Sequence, residues 1–150
     1  MPNMTYPTGF MLADVARLMR VELDKCISET GIDLSSGDLR ALLNIAHFFD
    51  GVRQCDIASG MHVEPMTVSA YLDRLERNNL VVRRQDPRDR RARVVHVTDN
   101  AAIVLDQVQP MLSLIYENAM MGIDPEARSC TESSLKTARS NLSRKRSMSN

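Results

Sequence analysis

"RRQDPRDRRARVVHVTD", Arg83 to Asp99, packs six arginines into its first eleven residues and then turns into a run of valines. The whole chain carries nineteen basic and nineteen acidic side chains, so this is a local patch on a neutral protein rather than part of a basic surface. "LVVRR" before the patch and "ARVVHVT" after it are rich in β-branched residues, and "QDPRDRR" between them supplies turn formers. The stretch reads as a β-hairpin whose tip is the arginine run. Arginines at such a tip can enter a narrow minor groove or bind phosphates beside a major groove. Arg88, Arg90 and Arg91 are the candidate contacts, and Asp86 and Asp89 are candidate partners that orient neighbouring guanidiniums through bidentate bonds.

Immediately upstream, "RQCDIASGMHVEPMTVSAYLDRLERNNL" contains a short helical piece around Ile57 and Ala58 that breaks near Gly60-Met61-His62. A longer helix from Met66 to Asn78 follows, with Pro65 suited to its first turn. Two helices joined by a tight turn, the second leading into strands, are a helix-turn-helix pattern. On a wheel of 100 degrees per residue, Val68, Leu72 and Leu75 form the core stripe of the second helix. Met66, Ala70, Asp73 and Arg77 face away, with Thr67 and Arg74 on one edge of that face and Ser69 on the other. Short side chains let a helix approach base edges, while its N-terminus and trailing arginines engage phosphates. Thr67, Ser69, Ala70, Arg74 and Arg77 therefore join the wing arginines as candidate DNA contacts.

Farther out, the pattern is helical throughout. "GFMLADVARLMRVELDKCISETG" places Met11, Val15, Leu18, Met19, Cys26 and Ile27 near a helical period and ends at Gly31. "LSSGDLRALLNIAHFFDG" begins with serine and aspartate caps, puts Leu39, Leu42, Leu43 and Ala46 on one face, and stops at Asp50-Gly51. Asn100 to about Met121 is a strongly apolar helix with Pro110 inside it, a position expected to kink it. Asp124 and Pro125 then open a last helix with a thin apolar stripe of Ala127, Leu135, Ala138 and Leu142. The tail, 144–150, is basic and polar and is expected to be disordered.

At 150 residues, 43% apolar and 25% charged, the chain fits one globular domain with a modest core. Only 4% of residues are aromatic and ten are methionine, which predicts an aliphatic, adaptable interior. No apolar stretch is long enough to span a membrane, and "MPNMTYPTGF" lacks the features of a secretory signal, so a cytoplasmic location is expected. Cys26, Cys55 and Cys130 fit neither a disulfide framework nor a metal pattern and are expected to be reduced and mostly buried. A redox-sensing thiol would require a lowered pKa. His47, His62 and His96 lack ligand spacing. Neither a phosphate-cradling glycine loop nor a nucleophile motif is present, so no catalytic residue, metal or cofactor is assigned and an enzyme is not expected.

"DPRDRRARVVHVTD" resembles the wing signature of the MarR family of winged helix-turn-helix transcription regulators, in which Asp-x-Arg precedes a short strand ending in Leu-Thr. Asp89, Arg91 and Thr98 sit at the matching places, and Val97 stands for the leucine. "QCDIASGMHVEPMTVSAYLDRLERNNLVVR" is similar to the family's first helix, turn and recognition helix. His62 and Asn79 stand where the family commonly has glycine, Glu64 where it has a serine cap, and Ala70 where many members carry an arginine.

The resemblance implies a mainly α fold with a small β-hairpin. A winged helix-turn-helix occupies about 36–99, and terminal helices at about 10–31 and 100–143 form a dimerisation domain. It further implies a homodimer on double-stranded DNA, usually a repressor of palindromic operators, modulated by a small aromatic or anionic effector or by oxidation. The competing reading is a winged-helix protein-interaction module without specific DNA recognition, favoured by Ala70 and the zero net charge.

Overall fold

The structure, a computed structural model, describes residues 7–48 and 51–147. Its elements in chain order are α1 (Thr8–Thr30), α2 (Ser36–Ala46), β1 (Val52–Arg53), α3 (Gln54–Met61), α4 (Pro65–Arg77), β2 (Val81–Gln85), β3 (Arg93–Val97), α5 (Asp99–Ala119) and α6 (Pro125–Ser147). By internal contacts the chain divides into two units, 1–115 and 116–150.

In the first unit, local chemistry sets the helix ends. Gly31 closes α1 in the left-handed region at φ 73°. Ser35 and Asp38 form a capping box on α2: the Asp38 amide donates to the Ser35 hydroxyl oxygen at 3.2 Å, and the Ser35 amide donates to the Asp38 carboxylate at 2.8 Å. The α2 N-terminus receives a second carboxylate from α1, since the Ser36 amide donates to Asp24 Oδ1 at 2.6 Å. Helix α2 ends at Ala46, short of the expected Asp50-Gly51 stop, and Asp50 lies outside the described residues. The turn between α3 and α4 hinges on His62 at φ 55°, and the exit from α4 on Asn79 at φ 56°. Both are left-handed positions that glycine adopts most readily, and asparagine tolerates such a position better than most residues.

The sheet has three strands rather than the two of a bare hairpin. The order is β1-β3-β2, all antiparallel, with Val81 opposite Val97, Arg83 opposite Val95, and Val52 opposite Val95 from the other side. A strand of two residues shows no period in sequence, which is why β1 is invisible there. Leu42, Ile45, Ile57, Val68, Leu72, Leu75, Leu80, Val81 and Val95 form the main core beneath α4 and the sheet. A smaller cluster of Ile27, Leu39 and Val108 joins α1, α2 and α5.

The N-terminal stripe of α1 is not covered: Phe10, Met11, Val15 and Leu18 are all exposed, as are Ile103 and Leu114 on α5. Pro110 is accommodated within a continuous α5. The thiols depart from expectation, because Cys55 and Cys130 are exposed and Cys26 is half-buried. Ile57, Ala58 and Met61 occupy the inward side of α3 and leave Cys55 on the outside.

In the second unit, Arg128 organises the turn between α5 and α6. Its guanidinium donates to the Ile123 carbonyl at 2.9 Å, the Met120 carbonyl at 2.7 Å and the Glu117 carboxylate at 2.8 Å. Asp124 accepts the Glu126 and Ala127 amides at 3.0 Å and starts α6. The Tyr116 hydroxyl donates to Glu132 at 2.6 Å, and that bond raises the phenol pKa. Leu135 and Leu142 are exposed. Helix α6 runs through Ser147, so the expected disordered tail begins inside it, and 148–150 lie outside the described residues.

Candidate nucleic-acid interface

Helix α4 buries Val68, Leu72 and Leu75 completely, so the opposite face is turned outward. Ala70 and Arg77 are exposed there, Thr67 and Ser69 are half-buried on its edges, and Met66 is 85% exposed. The N-terminal turn has little to offer a phosphate. Pro65 has no N–H, the Thr67 and Val68 amides donate to the Glu64 carbonyl, and the Glu64 side chain makes no capping bond.

Arg74 departs from the sequence reading. Its Nε donates to both oxygens of Asp38, at 2.9 and 3.0 Å, and its Nη2 lies 2.8 Å from Oδ1. Asp38 is fully buried, and the pairing raises the Arg74 pKa. The Arg74 guanidinium also lies 5.4 Å from the centroid of the Tyr71 ring. Arg74 is a strut that fastens α4 to α2, because a buried carboxylate demands a charged hydrogen-bonding partner more strongly than an exposed face does. The wheel placed it on the rim correctly, but it could not show that Asp38 lay beneath. Asp73, expected to face outward, is exposed yet bonded to Arg83.

Arg83 is the second strut. Its Nε and Nη2 donate to Glu76 at 3.0 and 2.7 Å, and Nη2 also donates to Asp73. The Arg83 bond lowers the Glu76 pKa. These contacts tie β2 to the end of α4, so the wing and helix are held together by ion pairs as well as by core.

At the wing tip the two aspartates repeat one device. Asp86 Oδ1 accepts the Arg88 amide at 2.8 Å, and Asp89 Oδ1 accepts the Arg91 amide at 3.0 Å, each two residues on. The backbone closes through Asp86 N to Ala92 O at 3.0 Å and Ala92 N to Asp89 O at 2.9 Å. Asp86 and Asp89 therefore orient the wing through its backbone, not by pairing with adjacent guanidiniums as the sequence suggested. The guanidinium Asp86 does hold belongs to Arg53 on β1, at 2.6 and 2.9 Å. The Arg88 amide first, then the Arg53 bond, push the Asp86 pKa down.

With those carboxylates occupied, Arg88, Arg90 and Arg91 stand exposed with no ion-pair partner among the described residues. Arg84 and Arg93 are exposed in the same way and had not been singled out in the sequence. Their signal was strand alternation: Arg93 pairs across the ladder with Gln85, and Arg84 with Val94. Arg90, Arg91 and Arg93 line, with Arg83 and Gln85, a cleft of about 540 Å³, where Gln85 Nε2 donates to the Arg90 carbonyl at 2.8 Å. Among the described residues no group of histidine, cysteine and carboxylate side chains could hold a metal ion.

The MarR family model matches residues 34–92, which runs from the α2 cap to the wing turn. The uncharacterized HTH-type transcriptional regulator YkoM of Bacillus subtilis (strain 168) is 39% identical over 59 residues, 39% of this chain and 38% of that protein, so the match spans well under half of the relative. The fold extends farther. A MarR-family transcriptional regulator from Rhodococcus sp. RHA1 superposes with a TM-score of 0.79 at 24% identity, covering 87% of this chain and 91% of that one. CouR from Rhodococcus jostii RHA1, solved bound to p-coumaroyl-CoA, gives 0.78 at 23% identity over 92% and 95%. Residues 34–92 thus resemble the MarR family in sequence, and over most of its length the chain shares the fold of the MarR-family structures.

Proposed function

We propose that this protein is a dimeric, sequence-specific DNA-binding transcription regulator, a repressor of palindromic operators, acting in the cytoplasm. The observation that carries the reading is the wing. Its carboxylates are consumed by backbone and by Arg53, which leaves Arg88, Arg90 and Arg91 pointing to solvent beside a helix face of small side chains. Such a pair of surfaces suits phosphate or minor groove on one side and major-groove base edges on the other. Thr67, Ser69, Ala70 and Arg77 supply the helix contacts in this reading. No helix among the described residues is long and apolar enough to cross a membrane.

A second copy of the chain covers the exposed apolar faces of α1, α5 and α6 and sets two recognition helices about 34–36 Å apart, one turn of DNA. CouR, solved with an acyl-coenzyme A ligand, supports modulation by a small aromatic or anionic effector. Oxidation of an exposed thiol is the other route.

The test is duplex binding as a function of salt, with Arg90→Ala/Arg91→Ala beside the wild type. Wild-type affinity should fall steeply with salt, and the double mutant should show a slope shallower by about two units, roughly 0.9 per lost phosphate contact. Selection from a random duplex pool should return a palindrome. Binding equally weak to every sequence would instead identify a winged-helix protein-interaction module.

A further inference from the structure

We propose that Met66 is a specificity-determining residue that reads a thymine methyl group in the major groove. This rests on the DNA-binding reading above and goes beyond it by naming the chemistry of one contact. Met66 is 85% exposed on the outward side of α4, and the core of that helix has no use for it. Ala70 lies one turn farther along the same face and is also exposed, so the two make a continuous apolar strip.

The surroundings exclude the commoner readout. Arg74 is held by Asp38, Asp73 is held by Arg83, and Arg77 lies nearly two turns beyond Ala70. The first two turns of α4 therefore carry no arginine or lysine of their own to make a bidentate bond to guanine. Glu64, exposed at the entrance to the helix, repels phosphate and accepts from amino groups. What the first turns offer a base edge is a flexible, polarizable thioether and a methyl group, and the matching surface in the major groove is the C5-methyl of thymine. Asp73 and Glu76, farther along α4, are bonded to Arg83 on β2, so this helix is fastened to the strand that leads into the cationic wing, and DNA is the occupant the charge pattern favours.

The test uses the full-length protein and the duplex it selects from a random pool. Each thymine is replaced singly and symmetrically by deoxyuridine, which removes one methyl and leaves base pairing intact. One position per half-site should weaken wild-type binding by about fourfold per methyl, the value of one buried carbon group. Met66→Ala should bind the thymine duplex more weakly and lose the thymine-over-uracil difference at that position, while Met66→Leu should keep it. The thermal melt should be unchanged in both variants, since Met66 is not part of the core. A thymine-over-uracil ratio that is the same in Met66→Ala as in wild type would overturn the proposal, as would wild-type indifference to every methyl. Failure to select any sequence would overturn the DNA reading itself, and is recognised before any methyl is removed.

Discussion

Asp86 shows how much one side chain can be asked to do. Its carboxylate accepts the Arg88 amide and the Arg53 guanidinium while only 6% of the residue is exposed, so it joins the wing turn to β1. The folded state holds its pKa below the ordinary 3.8. A carboxylate lowered in this way adds stability that is fully present above the unfolded value and is lost as pH falls through the folded one. Glu76, lowered by Arg83, acts in the same direction. Asp86→Asn keeps an acceptor for the Arg88 amide but loses the charge that Arg53 needs. Its melting temperature should therefore lie below wild type at pH 7, with the gap closing as pH falls through the lowered folded-state pKa of Asp86. Thermal melts across pH 7 to 2.5 check this, and a gap that widens in acid would contradict it.

At the scale of the element, α4 is oriented by two guanidiniums in addition to its apolar stripe. Arg74 fastens its middle to the buried Asp38 of α2, and Arg83 fastens its end to β2. Gly37 makes room for this arrangement, since a Cβ there would lie 2.7 Å from the Tyr71 hydroxyl, on the ring beside Arg74. Arg74→Ala should lower the unfolding free energy by about 1–3 kcal/mol, because Asp38 stays buried with the Ser35 hydroxyl and the Ser35 amide as its remaining partners. Urea denaturation measures it. A base-contacting arginine would behave oppositely, with stability unchanged and sequence preference altered.

For the whole molecule, the largest unmet demand is apolar. Phe10, Met11, Leu12, Val15, Leu18 and Val21 are large apolar side chains left exposed on the one helix α1. The proposed homodimer should appear as a single species of twice the monomer mass in analytical ultracentrifugation at low micromolar concentration. Leu18→Glu should shift it toward monomer and should reduce thermal stability with it, because folding and association draw on the same surface. A stable wild-type monomer would remove the basis for a palindromic site.

Backbone-local features were legible in the residues alone. The Ser35 cap, the stop at Gly31, the hairpin and the buried side of α4 each depend on groups within a few positions of one another. So did the location of the candidate interface, since an arginine-dense turn beside an outward helix face is a pattern of neighbours. Tertiary structure decided which charges are free. Arg74 meets Asp38 across 36 positions and Arg53 meets Asp86 across 33. No periodicity encodes such pairings, because they are set by how α2, α4 and the sheet pack over their common core. The two-residue β1 and the exposure of Cys55 were likewise decided by packing. Periodicity shows which side of an element is buried, whereas the partner a charge finds depends on what the fold brings beneath it.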